Sequence, residues 1–342
     1  MGCTQSRDDK NDTLQADFKA YYDTLSAEDK AYFDKGVIDT DFSDVLGPRE
    51  YKGKVRDVYK FDEKTSLFVV SDRISAFDYI HRVPIPGKGK ILNQLSVFWF
   101  EYLAKNCDAK NHVVTSDIKE IIKMKPGLEK YRTQLEGRCM VVKKLKMIPV
   151  EAVCRAYLTG SGFKDYKATG KICGHDLREG YVDCEKLDDI IFTPATKAEV
   201  GLHDENITEK QAEEILTKQG FPYKSMKESA LKMFKAAIAH AEKLGIIIAD
   251  TKFEFGMLGE ELIVGDEVLT PDSSRYWEKK KYEKGHQQDS LDKQYLRNYL
   301  LDTPDFTNNR RGVPIPREVC EKLMEKYTEI YKLLTSKEPE YM

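Results

Sequence analysis

Short apolar runs and helical stripes alternate along the chain in an order that predicts an α+β fold. Leu67-Phe68-Val69-Val70 is a compact apolar run ended by the polar pair Ser71-Asp72, as a buried strand would be. Two further strands are predicted over Arg138–Val142 and Pro149–Arg155, with a break at Lys146–Pro149. Tyr51–Tyr59 reads as two short strands pivoting near Gly53. Ile246–Ala249 predicts another strand, and Glu261–Val268 its antiparallel return after a turn at Gly256–Gly259. Helices fall between these. Over Leu92–Ala104, the residues Leu92, Leu95, Trp99, Tyr102 and Leu103 share one stripe. Thr208-x-x-Gln211 and Ser225-x-x-Glu228 match capping boxes, and the second of these helices carries Met226, Leu231, Phe234, Ile238 and Ala241 before ending at Gly245. Pro316 opens a last helix through Leu323, Tyr327, Ile330, Tyr331 and Leu334. Helical spacing over Gln15–Lys35 (Phe18, Tyr22, Leu25, Tyr32, Phe33) predicts a helix docked on the surface. The reading divides the chain into an extension over 1–46, a first lobe over 47–148 and a second over 149–342.

Composition narrows the function. With 342 residues, 55 basic against 58 acidic side chains and a net charge of −3, nothing reads as a polycation, so a nucleic-acid partner is not expected. The seven cysteines are odd in number and form no C-x-x-C, which points to reduced thiols in the cytoplasm rather than a disulfide framework. The six histidines make no zinc pattern. No apolar run is long enough to cross a bilayer, so no integral membrane segment is expected. Met1-Gly2-Cys3-Thr4-Gln5-Ser6 fits an N-myristoylation pattern, with Cys3 available for a second chain; a plain leader explains it as well.

The most informative chemistry follows Ile246–Ala249. Asp250, Lys252 and Glu254 occur at alternate positions, so on a strand they share one face, with Thr251, Phe253 and Phe255 on the other. Three charges beside a wholly apolar run are costly without a ligand. Asp266, on the return strand, can reach the same face. Carboxylates with a lysine suit Mg²⁺ plus phosphate, because Mg²⁺ takes one or two carboxylates and fills its shell with phosphate oxygens and water. A salt-bridged surface hairpin is the alternative. Lys52-Gly53-Lys54-Val55-Arg56-Asp57 could lay backbone N–H groups over phosphates, though it is neither a Walker A sequence nor a G-x-G-x-x-G loop. Lys143–Glu151 could join two lobes and frame an adenine, with Met147 against the ring; an ordinary hairpin fits equally. Arg155 with Gly160-Ser161-Gly162, and Ser273-Ser274-Arg275, suit a phosphate monoester. The polar run Ser71-Asp72-Arg73-Ile74-Ser75-Ala76-Phe77-Asp78 follows a strand end, where substrate contacts are common.

These segments together resemble the SAICAR synthetase family. The resemblance is carried by Gly53–Asp57, Ser71–Asp78, Leu92-Asn93-Gln94, Pro149-Val150-Glu151, Gly160-Ser161, Thr193–Glu199, His203-Asp204-Glu205, Asp250–Gly256, Asp266-Glu267 and Thr270–Trp277, in the family's order. It implies an α+β fold with a kinase-like N-terminal lobe and an ATP-grasp-like C-terminal lobe. It implies an ATP-dependent C–N ligase of purine biosynthesis that joins L-aspartate to the carboxylate of CAIR, through an acyl phosphate. By matching position, Glu254 and Asp266 would hold Mg²⁺, Lys252 would meet the transferring phosphate and Asp250 the imidazole. Gly53, Lys54 and Arg56 would cover the ATP phosphates, with Lys144, Met147 and Glu151 around the nucleoside. Arg155, Ser161, Ser274 and Arg275 would hold the ribotide phosphate, and Ser71, Asp72, Arg73 and Ser75 would serve aspartate. Ala156 and Phe163 depart from the family's pattern at pocket margins, and the segment before Tyr51 is longer than the family's. A fused carboxylase domain is not expected, and a homo-oligomer is compatible with the family. The competing readings are a small-molecule or lipid kinase with the same ATP site, and a non-catalytic binding module.

Overall fold

A computed structural model describes residues 19–77, 79–81, 83–197, 205–304, 306 and 313–342. The acylation pattern at Met1–Ser6, Phe18, Asp78, and His203-Asp204 lie outside the described residues.

Two antiparallel sheets carry the chain. The first has the order β1-β2-β3-β5-β4, from β1 (Arg49–Lys52), β2 (Arg56–Lys60), β3 (Thr65–Val70), β4 (Val113–Thr115) and β5 (Cys139–Lys143). Alternation along β3 explains its place. Leu67 and Val69 face a buried cluster with Ile118, Ile121 and Leu128, while Val70 joins the main core with Leu92 and Trp99.

The second sheet is built on one long strand. Its members are β6 (Lys146–Met147), β7 (Val150–Leu158), β8 (Glu185–Phe192), β9 (Ala195–Thr196), β10 (Ile246–Leu258), β11 (Glu261–Gly265) and β12 (Ser274–Glu278), and its main path is β8-β7-β10-β11. The first half of β10 lies between β7 and β12; its second half pairs with β11 and β6. β6 follows directly on β5, so the segment joining the two sheets is itself held on β10.

Helices cover the faces: α1 (Ala27–Phe33), α2 (Lys88–Cys107), α3 (Gly160–Thr169), α4 (Glu209–Lys218), α5 (Tyr223–Lys243), α6 (Gln294–Asp302) and α7 (Arg317–Thr335). The predicted stripe of α2 is buried at Leu92, Leu95, Trp99 and Leu103. One apolar cluster runs from Val70 and Leu92 through Phe234 and Phe253 to Leu323 and Tyr327, so α2, α5 and α7 pack around a common core.

Four sequence expectations are corrected. Gln15–Lys35 is not one helix: residues 19–23 are helical, then a break precedes α1, where the Ser26 side chain accepts the Asp29 N–H. The Ser225 capping box does not form, because α5 begins at Tyr223, places Ser225 inside its first turn and has Pro222 at its cap without a side-chain bond. Gly256 is strand, not turn; β10 continues to Leu258 and Gly259, at φ 63, makes the reversal. A Cβ on Gly256 would stand 2.7 Å from Leu145 Cβ, so the glycine permits close approach of the segment between the sheets. Pro316 caps α7 rather than opening it.

The Thr208 box does form, with Thr208 and Gln211 exchanging both bonds. Thr208→Ala is therefore expected to lower stability by about 1 kcal/mol, measured by denaturant unfolding; no change would show that α4 does not depend on its cap.

A buried ion cluster fixes the chain near α2. The Lys88 ammonium, fully buried, lies 2.9 Å from Asp272; Lys293 lies 3.3 Å from the same carboxylate, and Tyr327 donates to it at 2.6 Å. Burial pushes the Asp272 carboxyl up, but Lys293, Lys88 and the Tyr327 hydroxyl more than offset this and hold it below the usual carboxylate range. A depressed carboxylate contributes stability that is present above its unfolded pKa and is lost as pH falls through the folded one. Asp272→Asn should thus cost about 3 kcal/mol at pH 7 and flatten the acid limb of stability below about pH 4. An unchanged acid limb, followed by unfolding at stepped pH, would rule the cluster out as its source.

Candidate active site

A cleft of about 680 Å³ opens between the two sheets. It gathers Gly53, Lys54, Arg56, Lys144, Met147, Glu151, Lys252, Glu254 and Asp266, so nine residues singled out in the sequence meet at one place. Strand pairing explains the meeting. β10 presents Asp250, Lys252 and Glu254 on one face, and the pairing Glu254↔Gly265 brings Asp266 to the same end. From the first sheet, the β1–β2 hairpin supplies Gly53, Lys54 and Arg56.

Charges in the cleft are paired. Arg56 bonds Asp266, Lys197 bonds Glu254, and Lys252 bonds Glu151 while standing 3.7 Å from Glu254. Burial pushes the Lys252 ammonium down, but Glu151 and Glu254 reverse this and hold it above the ordinary lysine range. Burial likewise pushes the Asp266 carboxyl up; Arg56 outweighs it, with Lys197 and Lys252 adding, and the net direction is down. Lys252 is therefore a fixed cation and Asp266 a fixed anion at neutral pH.

Asp250 belongs to a second group a strand repeat away, about 7 Å from Lys252 along β10. Arg155, opposite it on β7, donates to Asp250 at 2.7 Å, to Ser161 Oγ at 3.0 Å and to Thr193 Oγ1 at 3.0 Å. Arg275 donates to the same Asp250 oxygen. The glycines flanking Ser161 make room for both guanidinium groups. A Cβ on Gly160, which has φ 59, would stand 2.3 Å from Arg275 Nη2, and one on Gly162 would stand 3.3 Å from Arg155 Nε. A smaller cavity of about 270 Å³ opens on Arg275 and Gly160. Ser274, by contrast, turns its hydroxyl to Thr251 at 2.7 Å and braces β10 instead.

Three residues expected to serve aspartate are committed elsewhere. Asp72 is fully buried, pairs with Arg138 at 3.0 Å through both oxygens and accepts the Val37 and Gly89 N–H groups. Arg73 binds Asp57 and the carbonyls of Ile38, Gly53 and Lys54, so it pins the β1–β2 hairpin from below. Ser71 donates to Val55 O at 2.8 Å. The polar run after β3 thus shapes the hairpin. The Gly53 N–H also bonds inside that hairpin, to Arg56 O at 2.7 Å, which removes it as a free phosphate donor.

Sequence reasoning assigned no role to Lys197, Thr193, Glu267 or His112. The first two lie within a segment that carries the family resemblance, and strand geometry alone could not have brought them to β7 and β10. Glu267 and His112 line the cleft beside Asp266. Burial pushes the His112 ring down to about 3, so it is neutral.

Among the described residues, no group of three or more His, Cys, Asp or Glu side chains forms a metal cage. Two carboxylates remain: Glu254, within β10, and Asp266, just past the end of β11, which Glu254 faces through its pairing with Gly265. That donor set fits Mg²⁺, which completes its shell from phosphate and water, better than a metal needing a full protein shell. No described helix is long and apolar enough to cross a membrane.

The α+β chain thus sets paired charges in its cleft and turns two arginines onto Asp250 further along β10. A family model described as SAICAR synthetase matches residues 49–311. The phosphoribosylaminoimidazole-succinocarboxamide synthase of Maridesulfovibrio salexigens is 45% identical over 304 residues, covering 89% of this chain and 98% of that one. The enzyme of the same name from Komagataella pastoris is 47% identical over 306 residues, covering 88% and 98%. A solved SAICAR synthase from Saccharomyces cerevisiae, complexed with SAICAR, superposes with a TM-score of 0.79 at 41% identity, covering 88% and 99%. The chain belongs to the SAICAR synthetase family.

Proposed function

We infer that the chain joins L-aspartate to the carboxylate of CAIR, giving SAICAR, ADP and phosphate, as an ATP-dependent ligase of purine biosynthesis. The observation that carries this reading is the shared face of β10. It sets Lys252 and Glu254 in the cleft and Asp250 between two arginines, so the residues read as handling the transferred phosphate and those read as holding the ribotide phosphate lie along one strand. The likeness to a yeast synthase complexed with SAICAR supports it, as does a SAICAR synthetase structure in complex with ADP, matched at a TM-score of 0.59 and 26% identity over 85% of this chain and 99% of that one.

The residues divide the work. Arg155, Ser161 and Arg275 hold the ribotide phosphate, and Asp250 keeps both arginines aligned while it meets the imidazole. Lys54 and Arg56 cover the ATP phosphates; Lys144 and Met147 border the nucleoside. Glu151 holds Lys252, and Lys252 offsets charge as the phosphoryl group passes to the CAIR carboxylate oxygen. The amine of aspartate then attacks that carbonyl carbon and phosphate leaves. Ser75 is the residue of its segment retained for aspartate. Glu254 and Asp266 would hold Mg²⁺, which supplies charge neutralisation and alignment of phosphate oxygens when bound. The segment over 47–148 acts as the kinase-like nucleotide lobe and 149–342 as the ATP-grasp-like substrate lobe, in a cytoplasmic enzyme.

ADP release tests the reading. It is expected only when CAIR and aspartate are both present. Release with CAIR alone at the full rate, independent of aspartate, would replace the ligase with a kinase.

A further inference from the structure

Arg155 is held on three sides. β7 lies between β8 and β10, so its guanidinium meets a side chain from each neighbour. Asp250 of β10 accepts from Nη1 at 2.7 Å, Ser161 of α3 accepts from Nη2 at 3.0 Å, and Thr193, directly after β8, accepts the Nε–H at 3.0 Å. The planar guanidinium still has N–H groups to give: among the described residues, one on each terminal nitrogen is left for a ligand. Thr193 is fully buried, and its hydroxyl has a preset direction. Its backbone N–H donates to Val153 O at 2.8 Å, which fixes it against β7, and its Oγ1–H donates to the same carbonyl at 3.4 Å. With that proton turned to Val153, the oxygen faces Arg155 Nε as an acceptor. α3 closes over the same nitrogen, since a Cβ on Gly162 would stand 3.3 Å from it.

We propose that Thr193 is a positioning residue for the ribotide pocket: its hydroxyl locks the Nε side of Arg155, so that the remaining N–H groups of the guanidinium keep their aim on the 5′-phosphate. This rests on the reading of Arg155 as a ribotide-phosphate ligand. The other two partners hold Arg155 less exclusively. Ser161 is exposed, and the Asp250 oxygen also accepts from Arg275. Thr193 is buried and turns its hydroxyl oxygen to Arg155. Without that oxygen the Nε–H is buried with no acceptor, and the guanidinium gains by turning away from its present plane. A threonine that merely filled space would need its methyl group and not its hydroxyl, so the two roles predict opposite outcomes for T193V and T193S.

The test measures binding of SAICAR, and of its riboside lacking the 5′-phosphate, by calorimetry on the full-length wild type, T193V, T193S and R155M. T193V keeps the shape and removes the hydroxyl; T193S keeps the hydroxyl and removes the methyl. We expect T193V to bind SAICAR about 10-fold more weakly and the riboside within about twofold of wild type, because only the phosphate feels the guanidinium move. T193S should stay within about threefold of wild type for both ligands. In nitrogen-15 spectra of the wild type, with R155M to assign the signal, the Arg155 Nε–H should exchange slowly with water. T193V binding SAICAR as wild type does, T193V losing the riboside as strongly as SAICAR, or T193S losing SAICAR about 10-fold overturns the proposal. Should T193V not fold, T193S and the exchange rate decide, and fast exchange of the Nε–H overturns it. If R155M binds SAICAR normally, the ribotide-phosphate reading of Arg155 itself fails; if R155M loses binding and T193V does not, the role of Thr193 alone is wrong.

Discussion

Glu254→Gln and Asp266→Asn should each reduce ADP release at saturating CAIR and aspartate by about 10³-fold or more, in folded protein. Each change keeps the side chain's size and removes its charge. Glu254 faces Lys197 and Lys252, and Asp266 faces Arg56, so both carboxylates sit among cations that a phosphate would also attract. Without either anion the cleft keeps its affinity for phosphate and loses the donor set for Mg²⁺. The two variants should differ in stability. The Asp266 carboxyl is held down by Arg56 against the effect of its burial, so it contributes stability above the ordinary carboxylate range that is lost as pH falls through its folded pKa. Its side chain is 31% exposed, and solvent screening keeps that contribution below about 1 kcal/mol. Asp266→Asn should lower the melting temperature slightly at pH 7. Wild-type turnover in both variants would remove the metal assignment.

Gly89→Ala should prevent folding, or lower stability by at least about 4 kcal/mol, although it adds one methyl group in the first turn of α2. A Cβ there would lie 2.1 Å from Val70 O, 2.8 Å from Ser71 O and 2.6 Å from Arg138 Nη1. The first two are backbone atoms at the end of β3 and cannot swing away. The third belongs to the buried Arg138–Asp72 pair, whose other bonds include the Gly89 N–H itself. Relief requires α2 to move off the sheet, which breaks that pair and leaves a buried charge exposed to no partner, a loss of about 3–5 kcal/mol. Denaturant unfolding of the variant within about 1 kcal/mol of wild type would refute this account of the packing.

What the sequence disclosed depended on whether the signal was local. Asp250, Lys252 and Glu254 were legible as one face because strand periodicity needs only neighbouring residues. The Thr208 box was legible for the same reason, and the Ser225 box misled because its local pattern is of the same kind while the helix starts three residues earlier. Gly256 was read as a turn; only its approach to Leu145, more than a hundred positions away, shows that the glycine serves packing. The ion pairs Arg56–Asp266 and Arg138–Asp72 join distant segments, and no spacing in the chain announces them. That is why Asp72 and Arg73 looked like substrate contacts. Their residue types suit a carboxylate substrate, and their consumption inside the fold is a non-local fact. His112 lay in an unremarkable stretch, with no motif to mark it.

One consequence follows from the way β10 carries both halves of the site. Asp250 and Glu254 are four residues apart on an unbroken strand, so the anion pocket and the phosphate end of the cleft are separated by about 13 Å of backbone that cannot stretch. The strand is a ruler with one graduation every second residue. Inserting or deleting one residue would turn every charged side chain toward the core, and a change of two would move the centres by a whole pleat. Substrates of different length cannot be accommodated by small adjustments along this axis; selection for a longer or shorter acceptor would have to act on the arginines and their glycines, leaving the ruler alone.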